Sequence, residues 1–305
     1  EFGKLFPASD RARDVRDGLV DLARRRGAEL QFGTALTGLA PDAAGWRVET
    51  TRGPIAAQAV ILATGGLSVP ATGSDGGGIA IARALGHLVH ETYPALTPLT
   101  ADDAPHSALA GISLRVRVRA KSPTDTAEAS GGFLFTHRGY SGPAILDVSH
   151  VAVRSRAQDD ERAVLRVAWT DLKADDWARA FASSAGLVLS AVSRHVPQRL
   201  AERLLADAGI PNDRRAAELR RVERNALIEA LTAYVLPWSG DEGYKKAEVT
   251  GGGVALDEIN PRTLESRRHP RLFLCGEMLD AFGPIGGHNF AWAWSTGRAA
   301  GLGAV

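Results

Sequence analysis

The chain has 305 residues, of which 45% are hydrophobic and 23% charged, as is ordinary for a globular protein. This length suggests about two domains, and a net charge of +1 excludes a bulk attraction to nucleic acids or membranes. No apolar run reaches the ~18 residues of a membrane-spanning helix. Cys275 is the only cysteine, which excludes an internal disulfide and favours a reducing compartment, so we expect a cytoplasmic protein.

The first ninety or so residues alternate between helix and strand patterns. Residues 10–26 predict an amphipathic helix, which Ser9 or Asp10 can cap at its start and Gly27 can end. Short apolar runs rich in β-branched residues predict strands. The predicted strands are residues 28–32, 46–51 and 58–63, and a second helix is predicted at residues 78–85. This alternation indicates an α/β layer.

The pattern changes near residue 93, where prolines interrupt regular structure. Residues 112–120 alternate strictly between apolar and polar side chains, which predicts a half-buried strand. Further strands are predicted at residues 132–136 and 164–169, and together these strands indicate an antiparallel β-barrel. Helices are predicted at residues 175–192, 197–208 and 213–234.

The most informative stretch is residues 272–298, which reads as a buried strand, an acidic turn, a diglycine loop and a helix start. Glu277 and Asp280 flank the turn, and an acid in this position can hold a ribose or ribityl hydroxyl. The glycines at 286–287 let backbone N–H groups approach a ligand, and the helix after them offers free N–H groups and a partial positive charge. These parts suit a dinucleotide such as FAD. The alternative is a solvated acidic loop before a helix that Asn289 caps.

A second glycine pair follows the strand predicted at residues 58–63. Residues 63–66 read Ala-Thr-Gly-Gly, and the glycines let a ligand or a neighbouring chain approach closely. Shortly after them, Ser74 could line the same cavity, whereas Asp75 is expected to cap the next helix. The thiol of Cys275, in the last predicted strand, is expected to be buried and inert.

Several blocks carry a resemblance to a known family. They are residues 3–15, Gly-Lys-Leu-Phe-Pro-Ala-Ser-Asp-Arg-Ala-Arg-Asp-Val; residues 61–78; residues 93–99, Tyr-Pro-Ala-Leu-Thr-Pro-Leu; residues 134–143, Leu-Phe-Thr-His-Arg-Gly-Tyr-Ser-Gly-Pro; residues 248–254, Glu-Val-Thr-Gly-Gly-Gly-Val; and residues 276–297. In this order they resemble the HI0933-like flavoproteins, the aminoacetone oxidase or bile-acid-reductase-like family, over nearly the whole chain.

No complete Gly-x-Gly-x-x-Gly turn is found, so we expect that the family's first βαβ unit, which holds the FAD pyrophosphate, is missing.

The resemblance and the order of elements together predict an α/β fold, a Rossmann-like FAD-binding domain interrupted by an insert that covers the substrate. Residues 272–275 are expected to rejoin the first α/β layer. The predicted bounds are residues 1–92 and 247–305 for the FAD-binding domain, 93–246 for the insert, about 93–172 for its barrel and about 173–235 for its helical part.

The resemblance also implies which residues form the site. The predicted FAD contacts are Leu36, Ala63, Thr64, Gly65, Gly66, Gly276, Glu277, Asp280, Gly286, Gly287, His288, Asn289 and Phe290. His137 lies in a loop that the resemblance places near the flavin, where it could donate a proton to the substrate; the alternative is that it only orders a glycine-rich turn. Tyr140 and Ser141 are weaker proton-donor candidates. No His-x-x-x-His or Cys-x-x-Cys pair is found, so no metal site is predicted.

We therefore expect an FAD-dependent oxidoreductase that takes electrons from NAD(P)H and reduces an activated C=C bond, or oxidises an amine, of a small molecule. Reduction is the preferred direction. One alternative implied by the resemblance is a flavin-dependent reductase that converts uridine in ribosomal RNA to dihydrouridine, with RNA as a partner that is not favoured. Another alternative is a non-catalytic, truncated fragment.

Two groups of arginines bear on the RNA alternative. The first group lies on one face of a predicted strand and the second in a predicted helix. The groups are Arg115, Arg117 and Arg119, and Arg214, Arg215, Arg220, Arg221 and Arg224. A solvated polar face is the favoured interpretation of both, and a surface that follows RNA phosphates is the alternative.

Overall fold

The computed structural model describes residues 5–43, 45–157 and 161–305. The chain separates into two compact units, which divide between Ala57 and Gln58. Gly3 and Lys4, which begin the first block of the family resemblance, lie outside the described residues. No helix in the described part of the chain combines the length and the apolar character that crossing a membrane requires.

The first unit contains one helix and an antiparallel sheet of three strands in the order β1-β2-β3. Its elements are α1 (Ala12–Arg25), β1 (Leu36–Asp42), β2 (Gly45–Thr50) and β3 (Ile55–Ala57). The predicted cap of α1 is wrong: Arg11 occupies the N-cap position without a capping side chain, and the Ser9 hydroxyl binds the Asp14 carboxylate instead. Gly27 takes a φ of 85° just after the helix, as its predicted end requires.

The strand predicted at residues 28–32 is also wrong. These residues are exposed and pair with no strand of the unit among the described residues. The first strand begins only at Leu36, whose partner across the sheet is Thr50. A local apolar pattern becomes a strand only when a neighbouring backbone accepts and donates its hydrogen bonds.

The second unit contains both helices and strands. Its elements, in chain order, are β4 (Val60–Leu62), α2 (Gly77–Ala84), β5 (Val89–Ala95), β6 (Leu99–Thr100), β7 (Ser113–Lys121), β8 (Thr126–Phe135), β9 (Gly139–Ser141), α3 (Pro143–Ala157), β10 (Val164–Ala168), α4 (Ala174–Ser183), α5 (Val188–Val192), α6 (Gln198–Asp207), α7 (Arg221–Thr232), β11 (Tyr234–Val235), β12 (Gly240–Asp241), β13 (Val249–Val254), β14 (Leu272–Leu274) and α8 (His288–Gly303).

Residues 272–274 form β14, which joins the strand predicted at residues 58–63. β14 pairs in parallel with β4, with Phe273 opposite Ile61, and all three residues of β14 are buried. Cys275 follows β14 and is buried as expected; burial raises the pKa of its thiol above the usual value. α2 packs close to the end of β4, since a Cβ on Gly78 would overlap the Thr64 side chain.

The middle of the unit is built on a seven-stranded antiparallel sheet in the order β11-β10-β7-β8-β9-β6-β12. β7 alternates exposed and buried side chains along its length, as predicted for residues 112–120. Its buried side, with Val118 and Ala120, packs into a core that includes Val148 of α3, Phe133 of β8 and Trp169. The predicted barrel is not confirmed, because the end strands β11 and β12 do not pair with each other and the sheet stays open.

Two of the predicted long helices are shorter than the pattern suggested. The helix expected at residues 175–192 is interrupted after Ser183, in a Ser-Ser-Ala-Gly sequence of low helix propensity, so that α4 and α5 form separately. The helix expected at residues 213–234 begins only at Arg221. The Glu223 carboxylate accepts the Arg220 N–H at 3.0 Å, which fixes this new start.

Candidate functional site

A cavity of about 350 Å³ opens in the second unit beside the acidic turn and the diglycine loop. Small-molecule sites typically span about 300–1,000 Å³ and are lined mainly by apolar groups with a few polar ones. The cavity follows that pattern. Its lining includes five predicted FAD contacts: Glu277, Gly286, Gly287, Asn289 and Phe290.

The sequence interpretation missed several other lining residues: Leu146, Glu248, Val249, Trp292 and Ala293. One signal could have found two of them. Asn289, Trp292 and Ala293 are spaced i, i+3, i+4, so they lie on one face of α8. Leu146, on α3, is brought to the cavity only by the fold.

The diglycine loop leads directly into α8. Gly286 and Gly287 have φ values of 136° and 91°, a region that side-chain-bearing residues rarely adopt. Gly287 is the N-cap of α8, and no side chain caps the helix. The loop is tied to α3, because the Asp147 carboxylate accepts the Ile285 N–H at 2.7 Å. Burial raises the pKa of Asp147 above its usual value. The N-terminus of α8, which carries a partial positive charge, therefore lies beside the cavity, and the loop before it is held in place.

Asn289 does not cap α8, so the alternative of a simple capping role does not hold. Its Oδ1 accepts the Gly283 N–H at 2.8 Å and its Nδ2 donates to the Gly283 carbonyl at 2.9 Å. The side chain therefore holds the preceding loop rather than the helix end. His288 and Phe290, the neighbouring predicted contacts, are exposed.

Glu277 lines the cavity and also joins three segments of the chain. Its Oε1 accepts the Thr250 N–H of β13 at 2.8 Å. The Thr250 hydroxyl oxygen in turn accepts the Leu67 N–H at 2.7 Å. A Cβ on Gly66 would overlap both Thr250 and Glu277. One carboxylate oxygen of Glu277 thus has a structural partner.

The Ala-Thr-Gly-Gly segment serves contacts within the protein. Gly66 makes room for Thr250, and a Cβ on Gly65 would approach the Ser74 hydroxyl at 2.9 Å. Close approach by another segment of the same chain is therefore observed, and the predicted FAD contacts of residues 63–66 stay a prediction. Ala63, Thr64, Gly65 and Gly66 are not among the lining residues of the cavity. Leu36 begins β1 of the first unit.

Two predictions about nearby polar residues have different outcomes. Asp75 accepts the Gly77 N–H at 2.9 Å, so its role at the start of α2 is confirmed. Asp280 lines a different cavity from Glu277, one of about 280 Å³. In that cavity its Oδ2 lies 3.8 Å from His90 Nε2, and Tyr93 and Arg154 also line the cavity. The fold thus directs the two carboxylates of the acidic turn into separate cavities.

The proton-donor candidates are not brought together. His137 is exposed on the turn between β8 and β9, and Ser141 is half-buried at the end of β9. Neither lines the cavity beside Gly287. Tyr140 is fully buried, and its hydroxyl lies 2.8 Å from His106 Nδ1. This placement gives Tyr140 a structural partner instead of access to a ligand.

His106, which the sequence interpretation missed, is the centre of a buried polar chain. Its Nε2 lies 3.0 Å from the Tyr234 hydroxyl, which donates to the Asp207 carboxylate at 2.8 Å. Tyr234 therefore accepts the Nε2–H of a neutral imidazole, and Nδ1 accepts the Tyr140 hydroxyl proton. Burial lowers the pKa of His106 to about 4, and nearby Arg203 acts in the same direction.

Across residues 5–43, 45–157 and 161–305, no group of three or more His, Cys, Asp or Glu side chains could hold a metal ion. The fold is mixed α/β, and the cavity lies beside a glycine loop and a helix start that no side chain caps. The whole-chain comparison agrees. The model of the HI0933-like protein Rossmann domain matches residues 1–303, and the chain belongs to this family. It is a family of FAD-binding oxidoreductases.

Relatives from three bacteria are similar over most of the chain. The ribosomal RNA dihydrouridine synthase of Escherichia coli K12 is 33% identical over 298 residues, 96% of this chain and 72% of the relative. The 3-dehydro-bile acid delta(4,6)-reductase of Clostridium scindens is 32% identical over 309 residues, 99% of this chain and 76% of the relative. The ribosomal RNA dihydrouridine synthase of Haemophilus influenzae is 35% identical over 250 residues, 80% of this chain and 59% of the relative.

Replacing Glu277 should destabilise the protein even without a ligand. The Glu277→Ala change leaves the buried Thr250 N–H without an acceptor, which costs about 1–3 kcal/mol of unfolding free energy. Glu277→Gln keeps an acceptor oxygen and should cost less. Urea unfolding followed by circular dichroism measures both changes. Glu248→Ala is the matched control, since Glu248 lines the same cavity and its side chain has no hydrogen bond among the described residues. Equal losses for the Glu277→Ala and Glu248→Ala variants would contradict the structural role.

His106 predicts a pH dependence of stability. Its folded pKa of about 4 lies below the unfolded value near 6.5, so the unfolded state binds the proton first. Stability from this group is complete above pH 6.5 and falls by about 2–3 kcal/mol as the pH drops towards 4.

The pH effect can be separated from that of other histidines. Burial also lowers the pKa values of His87 and His150, which act in the same direction. Urea unfolding between pH 7 and pH 4 should therefore show a shallower loss for His106→Gln than for the wild type. His137→Gln, at an exposed position, should keep the full loss. An undiminished loss in the His106→Gln variant would refute the assignment.

Proposed function

We propose that the chain is a flavin-dependent reductase whose cavity beside Gly286 and Gly287 holds the ring system of FAD. The observation that carries this proposal is the cavity of about 350 Å³ at the uncapped start of α8, within a family of FAD-binding oxidoreductases. When bound, FAD would supply hydride transfer. NAD(P)H is proposed as the reductant.

Each part of the lining has a distinct role in this proposal. The backbone N–H groups at the start of α8 would favour negative charge on a bound ring, through the partial positive charge of the helix end. Leu146, Val249 and Trp292 would pack against its apolar surface and exclude water. Glu277 would offer its second carboxylate oxygen to a ligand hydroxyl. The insert at residues 93–246 would cover the substrate.

The relatives favour reduction over amine oxidation. The names of the C. scindens and E. coli proteins both describe the addition of hydrogen to a C=C bond, in a bile acid and in uridine respectively. We therefore propose that this chain reduces a C=C bond that a neighbouring carbonyl activates. A hydride and a proton are then added across the bond. The proton donor is a separate question, and His137 stays a prediction for that role.

A second candidate concerns the substrate. Two relatives carry the name of a ribosomal RNA dihydrouridine synthase, which supports a uracil ring in RNA as the activated alkene. The first candidate, a free small molecule, is supported by the bile-acid relative. NADPH consumption with the FAD-loaded protein distinguishes them, with an unmodified ribosomal RNA transcript and a conjugated steroid enone as the two probes.

The central proposal predicts that the chain retains FAD and that filling the cavity prevents this. Ala293 lines the cavity, so Ala293→Trp should weaken FAD binding about tenfold or more, because overpacking costs roughly 1–3 kcal/mol. Quenching of FAD fluorescence on titration with protein measures the affinity. Ala291→Trp is the matched control, since Ala291 is exposed on the same helix and outside the lining.

The result must be compared with the fold of each variant. Circular dichroism should show native helix content for both, and Ala281→Leu offers a smaller filling change at another lining position. If the wild-type chain leaves FAD fluorescence unquenched, or if both filling variants, Ala293→Trp and Ala281→Leu, bind FAD as tightly as the wild type, the cavity is not the flavin site.

A further inference from the structure

The outer surface of the seven-stranded sheet concentrates positive charge. We call this surface the arginine face. Its basic side chains, all exposed, are Arg115, Arg117, Arg119, Lys121, Arg162 and Arg166. Two acids, Glu128 and Glu161, lie beside them. Since the whole chain has a net charge of +1, this excess is a local feature.

The arginine face contains a like-charge pair, and one acid, Glu128 of β8, lies opposite Arg119 on its other side. Arg119 of β7 and Arg166 of β10 lie directly opposite each other in the antiparallel register. Like charges in that position destabilise a sheet. Neither side chain, nor Lys121, has an ion pair with an acid among the described residues. Glu128 lies 3.9 Å from Arg117, and both are about half exposed, so this pair is weak.

Two arginines of the helical part, unlike Arg119 and Arg166, form ion pairs with an acid. Arg214 and Arg220 both form ion pairs with Glu223, and the distance from Arg214 is 3.4 Å. Arg220 and Glu223 flank the start of α7, where the contact fixes the helix end. These arginines do not load a single helix as predicted, because α7 begins at Arg221. The sheet group differs in that its arginines alternate along one exposed face of a single strand.

The geometry of the arginine face suits an extended polyanion. Alternate residues of a strand point to the same face, so the four basic residues of β7 repeat about every 7 Å. This spacing is similar to that between successive phosphates of an extended nucleic-acid strand. At the end of this row the sheet opens into a groove of about 520 Å³, which Arg119, Lys121, Arg162 and Arg166 line. A single phosphate would engage only one end of such a row.

We propose that the arginine face and its groove bind the phosphodiester backbone of single-stranded RNA. The proposal rests on the RNA candidate for the substrate, and it assigns the surface that would hold that substrate. Contacts would be made to phosphates rather than to bases, so binding should depend little on sequence and strongly on salt. A bound phosphate would add negative charge beside the Arg119–Arg166 pair, where Glu128 is the one acid opposite Arg119.

The test measures RNA binding without flavin or turnover. A fluorescein-labelled single-stranded RNA of about 20 nucleotides is titrated with the full chain at several KCl concentrations, and fluorescence anisotropy gives the affinity. The Arg119→Ala/Arg166→Ala double variant should bind at least about tenfold more weakly at low salt. Its log–log salt slope should fall by about 1.4, which corresponds to two phosphate contacts. Arg119→Lys/Arg166→Lys should retain most of the binding.

The control double variant is Arg221→Ala/Arg224→Ala, which removes the same charge from α7. It should bind RNA like the wild type. The Arg119→Ala/Arg166→Ala protein should melt no lower than the wild type, because the change relieves a repulsion. Absence of RNA binding by the wild type, equal loss in the control variant, or equal competition by polyglutamate and unlabelled RNA would each overturn the proposal. FAD retention is measured separately, so failure here leaves the flavin proposal to its own test.

Discussion

The hydrogen bond from the Thr250 N–H to the Glu277 carboxylate fixes the geometry on which the site depends. It joins the acidic turn after β14 to β13, and through the Thr250 hydroxyl it also joins the segment after β4. β4 and β14 are parallel neighbours, so the contact lies where both strands end. Because Gly66 leaves no atom between these groups, they can approach closely. The acidic turn therefore cannot shift without breaking a buried hydrogen bond.

The cavity is formed from segments that are tied to this frame. The diglycine loop is held by Asp147 of α3 at Ile285, and the loop before it is held by the Asn289 side chain. Trp292 donates its indole N–H to the Gly276 carbonyl at 3.0 Å, which connects α8 back to the acidic turn. A site built in this way is preorganised, so ligand binding has less loop ordering to overcome.

Alternating and apolar runs in the sequence correctly predicted individual strands. The strict alternation at residues 112–120 gave β7, and the apolar run at residues 272–275 gave a buried strand. The open sheet could not be predicted in the same way, because closure depends on whether the distant strands β11 and β12 pair. The strand predicted at residues 28–32 failed for the same reason, since strand pairing is a property of the partner as well as of the segment.

The candidate site shows a similar division. The diglycine loop and Glu277 were recognisable from the sequence, because glycine pairs and an acid after a strand have known chemistry. The reason for Gly66 was not recognisable, since its neighbour Thr250 lies far along the chain. Nor could the sequence show that Asp280 faces a different cavity from Glu277, or that Asn289 binds Gly283. These outcomes are set by tertiary contacts.

The most direct test of a flavin site beside Gly286 and Gly287 is hydrogen–deuterium exchange of the full chain with and without FAD, read by mass spectrometry over peptides that cover residues 283–293 and 113–121. A flavin site at the start of α8 predicts that FAD slows exchange of the backbone amides at 285–290, where the helix start borders the cavity, and leaves β7 unchanged. Unchanged exchange at 285–290, with FAD present at saturating concentration, would contradict a flavin site at the start of α8.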